Sequence, residues 1–213
     1  MFDSALSNAA RELLPRLNSG LDRFGFYLAG GSGLALQVGA RLSEDLDFFT
    51  PESFDPAAVS RYLVTVGKYE ETLVSPGTLY ARLEDVKLSF MRYPIPLVYP
   101  EVTYAKVRVA DWRDILAEKF KTLAQRGSRK DFYDIYAAIG VGNLSVGQAV
   151  EIMRRRFAGT GLNHYHILKS LTWFEDADAE PELKVLKPLA WETVKTFFTS
   201  HIAEFERELL KGE

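Results

Sequence analysis

Cysteine is absent from this chain of 213 residues, and long apolar runs are absent as well. The lack of cysteine excludes disulfide frameworks, thiolate metal sites and cysteine nucleophiles. No uninterrupted apolar stretch approaches the ~20 residues that a membrane-spanning helix needs. The first residues, 1–4, lack the basic and apolar regions of a signal peptide. We therefore expect a cytoplasmic protein that is not bound to a membrane.

The composition is that of a packed globular protein, with 47% hydrophobic residues, 26% charged residues and a net charge of −3. The charge is distributed unevenly along the chain. Residues 119–130 contain five basic side chains (Lys119, Lys121, Arg126, Arg129 and Lys130) and no acidic one. Such a segment is either a phosphate-binding surface or an ordinary solvated helix face, and its charge alone does not separate the two.

The hydrophobic pattern predicts an α+β protein with two domains. Residues 1–110 are expected to form a mixed β-sheet domain flanked by helices, and residues 111–213 a helical C-terminal domain. The pattern predicts helices at 3–14, 31–38 and 57–66, and strands at 24–29, 44–49, 69–74, 79–84, 86–91 and 102–109. Pro15 is expected to kink or end the first helix.

Helical periodicity continues beyond residue 110. It predicts helices at 111–127, from Ser128 to Ile139, at 146–157, at 166–174 and at 191–210. Ser128 and Asp131 have the spacing of a capping box, which would explain Asp131 as a cap. Lys130 and Asp134 have the spacing of an i,i+4 surface pair, so a purely structural role is an alternative for them.

The most informative motif is Gly30-Gly31-Ser32, followed after twelve intervening residues by Asp45-Leu46-Asp47-Phe48. Glycines between a buried strand and a helix let the backbone approach a ligand closely, and a helix N-terminus favours phosphate. Side chains alternate along a strand, so Asp45 and Asp47 should share one face, with Cα atoms roughly 6.6 Å apart. Two such carboxylates suit Mg²⁺, which prefers oxygen ligands.

The stretch YLAGGSGLALQVGARLSEDLDFF (27–49) resembles the opening motif of the DNA polymerase β-like nucleotidyltransferases. It is most similar to the AbiEii/AbiGii group, many of whose members are toxins of bacterial toxin–antitoxin and phage-abortive systems. A second stretch, EKFKTLAQRGSRKDFYDIY (118–136), is similar to the later motif of that group. The resemblance, which includes the chain between the two stretches and a few residues on either side, spans residues 24–139.

This resemblance implies metal-dependent transfer of a nucleoside monophosphate from a nucleoside triphosphate to a hydroxyl of an RNA, such as a tRNA end, or of a protein. It implies Asp45 and Asp47 as catalytic residues that bind Mg²⁺ or Mn²⁺, and an antitoxin protein as a partner. The resemblance also implies Lys119 as a catalytic residue. The implied nucleotide-binding residues are Gly30, Gly31, Ser32, Lys87, Arg126, Arg129, Lys130 and Asp134.

One departure from the superfamily pattern concerns a third acidic residue, which usually comes from a later strand. In VKLSFMRY (86–93), Ser89 stands where that acid is expected. Serine can neither act as a carboxylate base nor neutralise a second metal ion. Asp85 could replace the acid if the strand begins early, and Lys87 could contact phosphate directly.

The sequence supports three hypotheses. The first is an active nucleotidyltransferase. The second is a catalytically impaired nucleotide-binding protein that acts through partners, because Ser89 replaces the third acid. The third is an RNA-binding module without catalysis that uses the basic segment 119–130, and this one leaves the paired aspartates unexplained.

Overall fold

The computed structural model describes residues 1–211. The chain divides into two compact units, Met1–Asp111 and the part from Trp112 onward.

The first unit is built on a mixed sheet of seven strands in the order β3-β4-β5-β2-β1-β7-β6. The strands are β1 (Tyr27–Leu28), β2 (Leu46–Thr50), β3 (Tyr69–Ser75), β4 (Thr78–Leu83), β5 (Val86–Arg92), β6 (Val102–Tyr104) and β7 (Val107–Val109). Strand β2 runs parallel to β5, and β1 runs parallel to β7. The other neighbouring strands are antiparallel.

Three α-helices accompany this sheet: α1 (Asn8–Arg23), α2 (Gly30–Val38) and α3 (Pro56–Val66). Apolar side chains of α1 and α3 pack against one face of the sheet, where Phe48 of β2 and Phe90 of β5 are fully buried. Their rings stack with centroids 5.2 Å apart. The alternation predicted for β5 is confirmed, since Val86, Leu88 and Phe90 face this core while the residues between them are more exposed.

Two predictions in this unit are wrong. Helix α1 does not end at Pro15, which lies on its exposed side, but continues to Arg23, because the leucines around Pro15 hold the helix to the core. Residues 102–109 form a hairpin rather than one strand. Its turn at Ala105 and Lys106 has φ values of 49° and 64°, a conformation that non-glycine residues rarely adopt, so the sequence carries no turn signal there.

The second unit is helical. Its helices are α4 (Trp112–Arg126), α5 (Arg129–Val141), α6 (Val146–Arg156), α7 (His164–Ser170), α8 (Glu175–Ala179), α9 (Trp191–Ser200) and α10 (Ile202–Leu209). Helix α4 contacts α5, α6 and α7. Phe132 of α5 packs edge-on against Phe198 of α9, which stacks in turn on Phe205 of α10.

The prediction of a single helix at 191–210 is wrong, because the helix is interrupted at His201 and two helices, α9 and α10, form instead. The backbone N–H of His201 and its ring Nδ1 both lie within hydrogen-bond distance of the Phe197 carbonyl, at 3.1 and 2.8 Å. The break leaves Phe198 and Phe205 in contact on the same core. The predicted fold class, an α+β protein with a mixed β-sheet flanked by helices and a helical part after it, is confirmed.

Pro15 offers a direct test of the packing that holds α1. A proline inside a helix removes one backbone hydrogen bond, so Pro15→Ala should stabilise α1 by about 1–2 kcal/mol after allowance for the freer unfolded chain. Hydrogen exchange of the α1 amides should slow roughly tenfold. Glu12→Ala, at another exposed position of the same helix, is the matched control and should leave these rates unchanged. Faster exchange in Pro15→Ala would contradict the interpretation.

Candidate active site

The glycine turn between β1 and α2 lies directly against β2. Gly30 has φ +57°, and a Cβ atom built on it would lie 2.9 Å from the Cβ of Asp47. The Ala29 N–H donates to the Asp47 carbonyl at 2.9 Å on the same side. Only glycine fits at position 30, because both its conformation and the space beside Asp47 exclude a side chain. The structure thus brings together the two halves of the sequence motif.

The start of α2 is suited to an anion. Ala29 is the N-cap residue and offers no side-chain cap. The first N–H groups of a helix have no acceptor within the helix, and the helix dipole adds positive potential at this end. The N–H groups of Gly30 and Gly31 therefore belong to a terminus that can receive a phosphate group.

The paired aspartates flank the first residue of β2. Strand β2 begins at Leu46, one residue later than Asp45. Asp45 is exposed and Asp47 is half-buried. Ser32 is fully buried, and its hydroxyl donates a hydrogen bond to the Asp45 carbonyl. The Ser32 side chain therefore fixes the backbone of Asp45, whereas the resemblance implies a contact with phosphate.

Ser89 lies beside Asp47 in the parallel register of β2 and β5. Its hydroxyl donates to Oδ1 of Asp47. Asp85 does not take the place of a third acid, because β5 begins at Val86 and Asp85 belongs to the turn between β4 and β5. Lys87 is exposed on the same side of β5 as Ser89. The position where the resemblance implies a third acid is therefore occupied by a neutral donor to Asp47.

Two residues that the sequence reasoning missed lie against the glycine turn. A Cβ atom on Gly31 would lie 2.7 Å from Nη2 of Arg41 and 3.1 Å from Oγ of Ser43. Both side chains are buried, and the Ser43 N–H donates to the Ala5 carbonyl at 2.8 Å. A signal was present in the sequence, since positions 41, 43, 45 and 47 are all polar and share one parity.

The donor set at this site suits a hard divalent cation only in part. Asp45 and Asp47 supply two carboxylates, and phosphate oxygens and water complete the coordination that Mg²⁺ prefers. Within residues 1–211, no cluster of three or more His, Cys, Asp or Glu side chains could hold a metal by itself. The residues therefore fit an ion that is shared with a bound polyphosphate better than one held by protein ligands alone.

The second motif forms a buried ion-pair cluster in the helical unit. Lys119 of α4 lies 2.9 Å from Asp131 and 2.7 Å from Asp134, both on α5. Arg126 makes two bonds to the Asp131 carboxylate, at 2.7 and 2.9 Å, and remains half exposed. The other three residues are almost completely buried. Burial by itself raises the pKa of Asp131, but Lys119 and Arg126 outweigh it and hold the pKa at about 2.

The sequence spacing suggested that Asp131 caps α5 and that Asp134 forms a surface pair with Lys130, and both predictions are wrong. Asp131 bonds to two cations instead of capping α5, and Asp134 is buried against Lys119 instead of forming a surface pair with Lys130. Ser128 precedes α5 but makes no side-chain cap, because its hydroxyl donates to Glu180.

Arg129, the other predicted phosphate ligand of this motif, is buried in contacts within the same unit. Its guanidinium donates to the carbonyls of Ala177 and Asp178, at 2.8 and 3.1 Å. It also lies over the Trp191 ring, 5.3 Å from the centroid. These contacts attach the segment around α8 to α5. Lys130 is half-buried on the next position of α5.

Comparison with known proteins identifies the family. Residues 82–208, more than half of the chain, match the model of the AbiEii nucleotidyltransferase toxins of type IV toxin–antitoxin systems. The chain belongs to the AbiEii nucleotidyltransferase family. A relative in Aquifex aeolicus (strain VF5), an uncharacterised protein, is 34% identical over 184 residues, which cover 84% of this chain and 87% of the relative.

Solved structures support the fold of this AbiEii protein. A Helicobacter pylori protein described as a nucleotidyltransferase aligns over 97% of this chain and 99% of its own, with a TM-score of 0.56 and 14% identity. MenT4, a nucleotidyltransferase toxin of Mycobacterium tuberculosis H37Rv, aligns over 94% and 87%, with a TM-score of 0.54 and 16% identity. In the part that the structure describes, no helix has the length and apolar character to cross a membrane.

The buried cluster around Asp131 predicts a pH dependence of stability. The pKa of this carboxyl falls from 3.8 to about 2 on folding, so its contribution is complete above about pH 5 and is lost as the pH falls through 2. The loss should approach about 2 kcal/mol. All three tryptophans lie in the helical unit, so urea unfolding monitored by tryptophan fluorescence measures this unit.

The matched control for this measurement is Asp131→Asn. This variant should be less stable at pH 7 and should lack most of the decrease between about pH 4 and 2. An equal decrease in the variant would show that other carboxyl groups cause the acid sensitivity.

Proposed function

We propose that this AbiEii protein transfers a nucleoside monophosphate from a nucleoside triphosphate to a hydroxyl group, with Mg²⁺ or Mn²⁺ as the cofactor. The observation that carries the proposal is the close approach of Gly30 to Asp47, which sets an uncapped helix N-terminus beside a carboxylate. Phosphate binding and metal binding then take place at adjoining positions. Family membership supports the reaction class.

In the proposed site, the N–H groups of Gly30 and Gly31 bind the β- and γ-phosphates, and Lys87 contacts a phosphate from β5. Asp45 and Asp47 would hold the metal ion, which, when bound, neutralises charge on the transferring phosphoryl group. Arg41 lies buried beside Gly31, against the turn that presents these N–H groups.

The reaction forms one bond and breaks another at the α-phosphorus. The acceptor oxygen attacks this atom, the bond to the oxygen that bridges to the β-phosphate breaks, and pyrophosphate leaves with that electron pair. The hydroxyl proton passes to water or to a carboxylate of the site, because Ser89 cannot accept it. Catalysis then depends mainly on positioning and on the neutralisation of charge.

The buried cluster of the helical unit fixes the orientation of one predicted nucleotide contact. Arg126 is the half-exposed cation of that cluster, and Asp131 holds its guanidinium in one orientation. We propose Arg126 and Lys130 as nucleotide contacts. Lys119 and Asp134 would fix the relative position of α4 and α5, which sets the direction in which Arg126 points.

The acceptor is proposed to be an RNA end or a protein hydroxyl, and the protein is proposed to be the toxin of a toxin–antitoxin pair. The family description supports the toxin role and an antitoxin partner in general terms.

A transfer assay tests the proposal. With α-labelled nucleoside triphosphates, total RNA or lysate, and Mg²⁺ or Mn²⁺, the purified protein should label an acceptor, and removal of the divalent ion should abolish labelling. Asp45→Asn and Asp47→Asn should each lower the rate by about 100-fold or more. Glu52→Gln, an exposed acid just beyond β2, should retain the full rate. No labelling with any acceptor, or an unchanged rate in Asp47→Asn, would refute the proposal.

The contact between Ser89 and Asp47 favours a second candidate function, a nucleotide-binding protein that has lost transfer activity and acts through partners. This candidate predicts that calorimetry detects triphosphate binding while no acceptor is labelled. Ser89→Asp should then create activity, because it adds a carboxylate beside Asp47. If the natural protein is already active and Ser89→Asp lowers its rate, the second candidate is excluded.

A further inference from the structure

The face of the sheet that carries Asp47 continues outward across two more strands. Asp47 of β2 lies opposite Ser89 of β5, and Ser89 lies opposite Tyr80 of β4. Neighbouring strands are separated by about 4.8 Å, so Tyr80 is about 10 Å from Asp47 along this row. Its side chain points to the same face as Asp47 and is 39% exposed. An aromatic ring is therefore presented to solvent next to the candidate site.

A second row on this face carries two cations. Arg82 of β4 lies directly opposite Lys87 of β5, and both are exposed. Glu70 of β3 is the cross-strand neighbour of Arg82. In the part of the chain that the structure describes, no ion pair within 4.0 Å joins either cation to an acid. Like charges directly opposite each other destabilise a sheet, so this pair has no role in holding the strands together.

An aromatic ring next to unpaired cations on an open sheet face is the combination that binds single-stranded nucleic acid. Any of the four bases can stack on such a ring, and the cations bind the phosphate groups of the backbone. A strand lying across β4 would place its phosphates beside Arg82, next to the triphosphate group that Lys87 contacts, and these negative charges would relieve the repulsion between the two cations. A polypeptide acceptor has no regularly spaced phosphate groups for these two cations to bind.

We propose that Tyr80 and Arg82 form a binding platform for single-stranded RNA, on which the acceptor strand lies next to its reacting hydroxyl. This assignment rests on the proposed nucleotidyl transfer and names the acceptor class and the surface that binds it. Tyr80 stacks on a base of the acceptor, and Arg82 pairs with its backbone. Neither residue contacts the triphosphate, so both act on acceptor binding and not on nucleotide binding.

Direct RNA binding tests the platform without any need for turnover. The probe is a fluorescent single-stranded RNA of about 10 nucleotides, and its binding is measured by fluorescence anisotropy without triphosphate or metal. Tyr80→Ala should weaken binding about 5- to 100-fold, and Tyr80→Phe should restore it because the ring remains. Arg82→Gln should weaken binding and lower the salt slope by about 0.7. The same RNA annealed to its complement should bind the natural protein less tightly.

Arg61→Gln is the matched control for charge. Arg61 is exposed on α3, which packs on the opposite face of the sheet, so its loss should leave binding unchanged. In the transfer assay, Tyr80→Ala should raise the KM for RNA and leave the KM for the triphosphate unchanged. Thermal unfolding of each variant shows whether the fold is retained, and Tyr80→Phe distinguishes loss of stacking from loss of structure.

The outcomes separate this inference from the proposed function. If RNA binding depends on Tyr80 and Arg82 but no acceptor is labelled, the platform stands and the proposed transfer fails. If transfer occurs and RNA binding is the same in Tyr80→Ala and Arg82→Gln, the platform is refuted. Labelling of a protein in lysate that the RNA does not inhibit also refutes it, because the acceptor is then a polypeptide.

Discussion

The close contact between Gly30 and Asp47 of β2 controls the geometry of the candidate site in the first unit. Gly30 brings the backbone of the β1–α2 turn against Asp47, and any larger residue would separate the two by the width of a side chain. This contact places the start of α2 beside β2. The Ser32 hydroxyl then binds the backbone of Asp45 from inside the same helix. One packing constraint therefore positions both the helix terminus and the paired acids.

In the helical unit, the packing of α4 against α5 is constrained in a different way, by buried charged side chains. Burying Asp131 in an apolar core costs several kcal/mol unless cations surround it, and Lys119 and Arg126 supply them. Loss of one partner would leave an uncompensated buried charge, so the cluster disfavours arrangements of α4 and α5 that separate Lys119 from Asp131 and Asp134. A motif that resembles a ligand-binding segment in the sequence is thus also the element that fixes two helices.

Strand alternation is the feature of this fold that the sequence predicts best. Parity placed Lys87 and Ser89 on one face of their strand, and it would have put Arg41 and Ser43 on the face of Asp47 had the pattern been extended back through the loop. The errors arise where distant residues decide local structure. Pro15 stays helical because leucines anchor α1 on both sides. The partners of Ser128 and Asp131 lie on other segments, which sequence spacing cannot show.

Ser89 changes how the site around Asp47 is organised. A carboxylate at position 89 would face Asp47 across one strand spacing, and the two negative charges would repel each other until a cation lay between them. A serine hydroxyl instead donates to Asp47 and holds its side chain without any ion. The Asp47 side chain is thus held in one orientation, and the negative charge of a further carboxylate is absent beside it. Since preorganised charge dominates phosphoryl-type transfer, this arrangement is compatible with catalysis through fewer carboxylates.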